Sequence, residues 1–287
     1  MDEPSAAIDI NPRATGTNPA TVSAHPAPDF KPVTSVGPSM AGIRVHGESV
    51  ALEDPTLVEG FPGVGLVGKI ATDHLIEQLE MEYYASVGCE GLPRIGVYRE
   101  GDRTARPPVR LYADEEHDLL ALRSDAPISA KAVETVADCL TGWIVEQEAT
   151  PLYLSGLPAE REDGERPDLY GIATGDAGER LEDTDVATPP EDGVITGPTG
   201  ALINRAAHED YGSLGFVVEC NHRFPDPEAA SVLLEDAIAP VAGLDIDVSE
   251  LVDRAEEIRA KREQLAQQMQ AIAQEESSQA QPLRMYQ

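Results

Sequence analysis

The sequence is poor in positive charge. Against 52 Asp and Glu residues it has 21 Lys and Arg, which gives a formal net charge of −31, and only four of the basic residues are lysines. A chain this acidic repels a phosphate backbone, so the composition argues against a nucleic-acid partner. The acidic residues are spread along the whole chain, a pattern typical of proteins that work in high salt, where screening weakens the repulsion between carboxylates.

Cysteines and long apolar runs are also scarce. The three cysteines, Cys89, Cys139 and Cys220, are too few and too widely spaced for a disulfide framework or a zinc motif. We therefore expect reduced thiols in a cytoplasmic protein. Cys220 and His222 could supply two metal ligands, but no second pair is present, so we expect a buried thiol at a strand end and no metal.

No stretch has the length of a membrane span, and the first ten residues, MDEPSAAIDI, lack the basic and apolar regions of a signal peptide. The sequence thus predicts that the protein neither spans nor binds a membrane.

The residue pattern divides the chain into four parts. Residues 1–40 are rich in Pro, Ala, Thr and Ser without periodicity, which predicts a disordered N-terminal extension. In residues 41–246 strand patterns alternate with helix patterns, which predicts an α/β fold: a single three-layer α/β/α domain with a mostly parallel sheet. The pattern also predicts a separate C-terminal helix over residues 247–274 and a flexible tail over residues 275–287.

The elements within the domain follow from hydrophobic periodicity and turn residues. The long helix should bury Leu140, Trp143 and Ile144. Helices are predicted at residues 66–79, 128–148, 201–211 and 227–243, and strands at residues 56–60, 82–88, 94–100, 109–113, 118–124, 151–157, 169–175, 193–200 and 214–220.

The C-terminal helix carries a seam of apolar residues at alternating spacings of four and three, which Arg262 interrupts once. Asp247 and Glu250 form a capping pair at its start. The helix could lie on its own domain as an amphipathic helix, but a stripe this narrow favours a coiled-coil or bundle contact between copies. The seam residues are Leu251, Ala255, Ile258, Leu265, Met269 and Ile272.

The segment FPGVGLVGK matches two nucleotide-binding patterns at once. Gly63, Gly65 and Gly68 spell the dinucleotide fingerprint G-x-G-x-x-G, and Gly63, Gly68 and Lys69 also spell most of a P-loop, G-x-x-x-x-G-K. A P-loop needs a hydroxyl after the lysine to bind Mg²⁺, and Ile70 has none.

The dinucleotide interpretation is weaker than the motif suggests. Pro62 is rigid and lacks a donor at the tight turn, and the candidate acid, Glu90, lies in a turn-like run. Alternatively, the glycines let a helix begin close against neighbouring strands.

A second loop contains Gly197, Thr199 and Gly200 at the start of a predicted helix. Backbone N–H groups there could hold an anion, or the residues could only cap the helix.

Several segments, in order, resemble the proteasome assembly chaperone family of archaea and bacteria. The likeness covers about residues 43–275. Its segments are EGFPGVGLVG (59–68), LYLSGLP (152–158), LYGIATG (169–175), GVITGPTGALINRA (193–206) and FPDPEAASVLLEDAIAPVAGLDIDVSELVDRAEEI (224–258).

This resemblance implies a fold related to nucleoside phosphorylases, without established catalytic residues or a cofactor. It also implies a homo-oligomer whose hydrophobic-Tyr-any tail docks between α-subunits of the proteasome core particle, and Met285, Tyr286 and Gln287 match that tail. We therefore expect a non-enzymatic assembly chaperone or activator. The alternative is a small-molecule or nucleoside-type ligand-binding protein or enzyme that uses the glycine-loop pocket.

Overall fold

The computed structural model describes residues 42–46, 50–161, 165–182, 184–258 and 260. Its centre is an eight-stranded sheet with the spatial order β1-β3-β4-β5-β2-β6-β8-β7. The strands are β1 (Ile43–Val45), β2 (Thr56–Gly60), β3 (Glu82–Val87), β4 (Val109–Asp114), β5 (Leu119–Ser124), β6 (Thr150–Pro158), β7 (Leu169–Thr174) and β8 (Ser213–Cys220).

Helices cover both faces of this sheet. They are α1 (Val67–Gln78), α2 (Val133–Glu146), the short α3 (Glu179–Glu182), α4 (Gly197–Glu209), α5 (Pro227–Val232), α6 (Ala239–Ala242) and α7 (residues 249–258). A π-helical segment, Leu233–Ile238, joins α5 to α6, and a 3₁₀ turn, Val64–Leu66, precedes α1. One face packs against α1, α5 and the π-helical segment, and the other against α2 and α4. The predicted three-layer α/β/α arrangement is therefore confirmed.

The central strands are buried on both faces, which explains their continuous apolar sequences. In β2, for example, Leu57 belongs to the core beneath α2 and α4, whereas Val58 belongs to the core beneath α1. The predicted stripe of α2 is confirmed, because Leu140, Trp143 and Ile144 are all buried.

The sheet is mixed rather than mostly parallel. Only β5, β2, β6 and β8 run parallel to one another, whereas β1, β3 and β4 on one side and β7 on the other pair antiparallel with their neighbours. Residues 88–108 and 115–118 join β3 to β4 and β4 to β5 without a crossover helix, so these strands return directly as antiparallel neighbours.

Two predicted strands are wrong. Residues 94–100 make only an isolated bridge between Val97 and Arg106. Residues 193–200 are no strand either, because α4 already begins at Gly197 with Pro198 in its first turn, where a missing N–H costs no hydrogen bond.

The expectation of reduced thiols fails for two of the three cysteines. A disulfide joins Cys89, just after β3, to Cys139 in α2, although 50 residues separate them in sequence. Spacing along the chain gave no indication of this pair because the fold alone brings α2 against the end of β3. Cys220, in contrast, is a buried free thiol at the end of β8, as expected.

Within the described residues, no helix is long and apolar enough to cross a bilayer.

Candidate functional site

The glycine loop lies where the carboxyl ends of the parallel strands meet. It leaves β2 at Gly60, passes through the 3₁₀ turn and enters α1. The ends of β6 and β8 lie beneath it, since Gly156 and Cys220 both approach the loop backbone. This edge of a parallel sheet is where α/β proteins commonly bind ligands.

Two of the three fingerprint glycines lie in close contact with the strand ends. Gly65 has φ +62°, and a Cβ there would lie 2.9 Å from Sγ of Cys220. A Cβ on Gly68 would lie 3.1 Å from Cβ of Leu154 in β6, whereas one on Gly63 would meet nothing within 4 Å. The carbonyl of Gly65 also accepts a 2.8 Å hydrogen bond from the backbone N–H of Asp226. These contacts support the interpretation that the glycines bring the loop close to the strand ends.

The second loop forms the first turn of α4. Gly197 has φ +71°, with open space where a side chain would be. A Cβ on Gly200 would overlap the carbonyl of Ile195, so this glycine too is needed for close packing. Thr199 is buried and points back toward β2. The structure therefore brings the two glycine loops to the same edge of the sheet.

A carboxylate of the protein itself lies between these loops. Glu59 in β2 is only 1% exposed. Its Oε2 accepts a 2.9 Å hydrogen bond from Oγ1 of Thr199, and its Oε1 accepts a 2.6 Å bond from the N–H of Phe61. A carboxyl group of the protein thus lies at the start of α4, where the positive end of a helix favours negative charge. Glu59 is not among the site residues predicted from the sequence, although a glutamate within the short apolar run TLVEG is a detectable signal.

Burial strongly affects the ionisation of Glu59. It raises the pKa of this carboxyl to about 7, although hydrogen bonds from Phe61, Thr199 and Leu154 each lower it. Glu59 can therefore gain or lose a proton near neutral pH, a property that acid–base groups in enzymes share. Here, however, the protein's own donors bind both of its oxygens.

A second polar group, which we call the Asp125 cluster, lies beside the glycine loop. Asp125 follows β5 and is bonded to four cationic side chains. Nζ of Lys69 lies 3.5 Å from its Oδ1, Nη2 of Arg99 lies 3.1 Å away, Nε of Arg123 lies 3.7 Å away, and Nη2 of Arg110 bonds to Oδ2.

Asp73 in α1 completes this cluster. It lies 2.8 Å from Nζ of Lys69 and 3.0 Å from Nε of Arg123. Burial disfavours the charged form of Asp125, but the charges of Arg110, Lys69 and Arg123 outweigh it, so the pKa of Asp125 lies below its usual value. From the sequence, Lys69 is recognisable only as part of an incomplete P-loop, and the other members come from distant segments.

The surroundings of Cys220 are those of a packed core residue and not those of a metal ligand. The Cys220 thiol is buried, and burial raises its pKa to about 12. His222 is hydrogen-bonded to Arg223 instead of facing this thiol. Among the described residues, no group of three or more His, Cys, Asp or Glu side chains could hold a metal ion.

The predicted seam begins in α7. Leu251 is buried in the core of its own chain together with Val248, while Ala255 and Ile258 are half-buried. The remaining seam residues, Leu265, Met269 and Ile272, lie outside the described residues, as do the extension 1–40 and the tail residues Met285, Tyr286 and Gln287.

Comparisons with known proteins cover most of the chain. A family model described as the PAC2 family matches residues 57–266. An uncharacterised protein of Methanocaldococcus jannaschii, MJ0106, is 28% identical over 226 residues, which are 78% of this chain and 90% of that protein.

Solved structures show the same fold. PbaA of Pyrococcus furiosus, described as an archaeal homolog of proteasome-assembly chaperone, has a TM-score of 0.65 and 26% identity over 77% of this chain and 96% of PbaA. PbaB of the same organism, described as an archaeal proteasome activator, has a TM-score of 0.66 and 23% identity over 78% of this chain and 98% of PbaB. The α/β architecture predicted from the sequence is thereby confirmed.

Proposed function

Because the chain belongs to the PAC2 family, we propose that it is a non-enzymatic protein that binds the proteasome core particle, as an assembly chaperone or as an activator. The observation that carries this proposal is the likeness to PbaA, which extends over 96% of PbaA at 26% identity. The likeness to PbaB supports the fold and is compatible with either role.

We assign the contact with the α-subunits to Met285, Tyr286 and Gln287, taking Gln287 as the terminal residue. Tyr286 offers a rigid apolar ring with a hydroxyl at its tip, which suits a small pocket between subunits. The carboxylate of Gln287 could pair with a lysine at the wall of that pocket, and Met285 adds adaptable packing.

One tail of this kind binds weakly, because ordering a flexible segment offsets part of its contact energy. Several tails on one oligomer would raise the avidity by roughly 10²–10⁴ without a new contact. We therefore propose that copies associate through the helix that begins at residue 249, with Leu265, Met269 and Ile272 as the continuing seam.

The geometry of the glycine loops favours a non-enzymatic role. Gly65, Gly68 and Gly200 are explained by close packing, and Glu59 already bonds to Thr199 at the start of α4. We place the protein in the cytoplasm with its partner. The Cys89–Cys139 disulfide is unusual for that compartment, where thiols are kept reduced, so the redox state of this pair in cells is a direct check of the location.

The experiment is a pull-down of purified core particles with the wild type, with a chain lacking residues 285–287, and with Tyr286→Ala. Both altered chains should lose capture of core particles while keeping their sedimentation coefficient. Tyr98→Ala is the matched control, because Tyr98 is a tyrosine elsewhere on the surface that is 81% exposed. This control should capture core particles as the wild type does.

Two results would contradict the proposal. Undiminished capture by the truncated chain would show that the tail is not the contact. A monomeric wild type in molar salt, measured by sedimentation equilibrium, would remove the multivalency on which the avidity depends.

A further inference from the structure

The Asp125 cluster holds more positive charge than its carboxylates neutralise. Lys69, Arg99, Arg110 and Arg123 surround Asp125, with Asp73 as the only other acid bonded to them among the described residues. The cluster thus has an excess of two positive charges in a chain whose formal net charge is −31. An ordinary solvent-exposed surface of this protein would instead carry a net negative charge.

One buried donor in the cluster lacks a hydrogen-bond acceptor among the described residues. Arg110 is 1% exposed, and its Nε atom makes no hydrogen bond within the described part of the chain, whereas Nε of Arg123, which is 6% exposed, lies 3.0 Å from Oδ1 of Asp73. A buried polar group without a partner costs about 1–3 kcal/mol, and more when it is charged, so this donor favours an added acceptor.

The cluster is open to solvent on one side. The side chains of Lys69 and Arg99 are 22% and 43% exposed, so a small anion could reach them. The start of α1 lies nearby and carries neither an acidic residue in its first turn nor a side-chain cap. The positive end of α1 therefore adds to the attraction for an anion.

We propose that the Asp125 cluster binds the oxyanion of a phosphate group. Lys69 and Arg99 would contact it from the solvent side, and the guanidinium group of Arg123 would form the buried wall of the site. Arginine suits this ligand because its planar group donates paired hydrogen bonds to a tetrahedral oxyanion, and lysine adds a point charge. The proposal involves none of the tail residues and does not depend on binding to the core particle.

A purely structural ion network makes a different prediction. In that case the six side chains would only fix residues 99–108 against α1 and β5. Adding phosphate would then release no heat of binding and would not change the stability of the protein. The charge excess and the unpaired Nε atom of Arg110 favour a ligand over this explanation.

The test titrates the full-length protein calorimetrically with inorganic phosphate and, separately, with AMP, at an ionic strength held constant with chloride. One binding site per chain is expected for at least one of them. Binding of phosphate alone would identify a free oxyanion as the ligand, and tighter binding of AMP would identify the phosphate group of a nucleotide. The wild type should also unfold at a higher temperature when the ligand is present.

Lys69→Gln and Arg99→Gln should each weaken binding by roughly tenfold or more, because each removes a charge-assisted hydrogen bond. Lys131→Gln is the matched control, since Lys131 is exposed and lies outside the cluster, and its affinity should equal that of the wild type. Thermal unfolding without ligand checks that the variants fold. Absence of binding by both ligands at millimolar concentration, or unchanged affinity in both cluster variants, would overturn the proposal.

Discussion

Oγ1 of Thr199 donates a 2.9 Å hydrogen bond to Oε2 of Glu59, a residue 140 positions earlier in the chain. The bond joins the first turn of α4 to the end of β2, across the edge of the sheet where the two glycine loops meet. An internal carboxylate therefore occupies the position at which a helix start would favour a bound anion. The excess of positive charge lies instead in the Asp125 cluster, beside α1.

The ionisation of Glu59 should make stability depend on pH. The folded state raises its pKa from 4.5 to about 7, so folding disfavours the charged form. The contribution of Glu59 to the free energy of unfolding is therefore fully present below about pH 4.5 and is lost as the pH rises through about 7. Between pH 5 and 8 the wild type should lose on the order of 2–3 kcal/mol relative to Glu59→Gln.

Urea unfolding of both proteins across this pH range measures the effect, with Glu82→Gln as the control because Glu82 is exposed at the start of β3. Parallel pH profiles for the wild type and Glu59→Gln would show that Glu59 is not the titrating group.

Replacing Thr199 with valine should destabilise the protein above pH 7 by roughly 1.5–3 kcal/mol, because ionised Glu59 loses a donor that nothing replaces. Thr141→Val is the matched control, since Oγ1 of Thr141 is buried in α2 without a hydrogen bond in the described part of the chain. That variant should be neutral or slightly more stable. Equal losses in both variants, measured by chemical unfolding, would refute the importance of the bond to Glu59.

The glycine loop can be tested with two neighbouring alanines. Gly65→Ala should cost roughly 2 kcal/mol or more, because it places a Cβ at φ +62° and 2.9 Å from Sγ of Cys220. Gly63→Ala should be tolerated, since Gly63 has φ −127° and open space around it. Thermal unfolding distinguishes the two. A loop whose glycines serve only to approach a cofactor would tolerate both changes in the absence of that cofactor.

Breaking the Cys89–Cys139 disulfide should lower the free energy of unfolding by about 2–4 kcal/mol, since it closes a loop of some 50 residues. The wild type should therefore unfold at lower urea concentration with reductant than without it. The double variant Cys89→Ser/Cys139→Ser should show no such response, because Cys220 has no partner to bridge. Titration of three free thiols in the unreduced protein would contradict the pairing.

The start of the seam serves the protein's own core. Leu251→Ala should cost about 2–4 kcal/mol in unfolding free energy, because Leu251 is buried against the α1 side of the domain. Val252→Ala should have little effect, since Val252 is 43% exposed. If Leu251→Ala instead dissociates the oligomer without changing monomer stability, the residue belongs to the contact between copies.

Most elements could be predicted from the sequence because hydrophobic periodicity is a local property. The prediction for β2, residues 56–60, matches the structure at both ends, and the buried stripe of α2 is correct at Leu140, Trp143 and Ile144. The errors occur where a segment has a strand-like sequence but no neighbouring strand with which to pair. Residues 94–100 have strand-like composition, but only Val97 makes a bridge there.

Relationships between distant segments could not be predicted in this way. Strand direction at the margins of the sheet depends on which connections lack a helix. The Cys89–Cys139 pair and the four cations around Asp125 depend on which strand ends become neighbours. No local pattern carries that information, because each contact joins segments that are distant in sequence and neighbours only in the folded protein.

Gly65 shows this division in a single residue. The sequence by itself determined that the segment between β2 and α1 needs glycines, since their spacing can be read directly from it. Only the tertiary structure decided the reason, because Sγ of Cys220, 155 positions further along, occupies the space that any side chain at Gly65 would need.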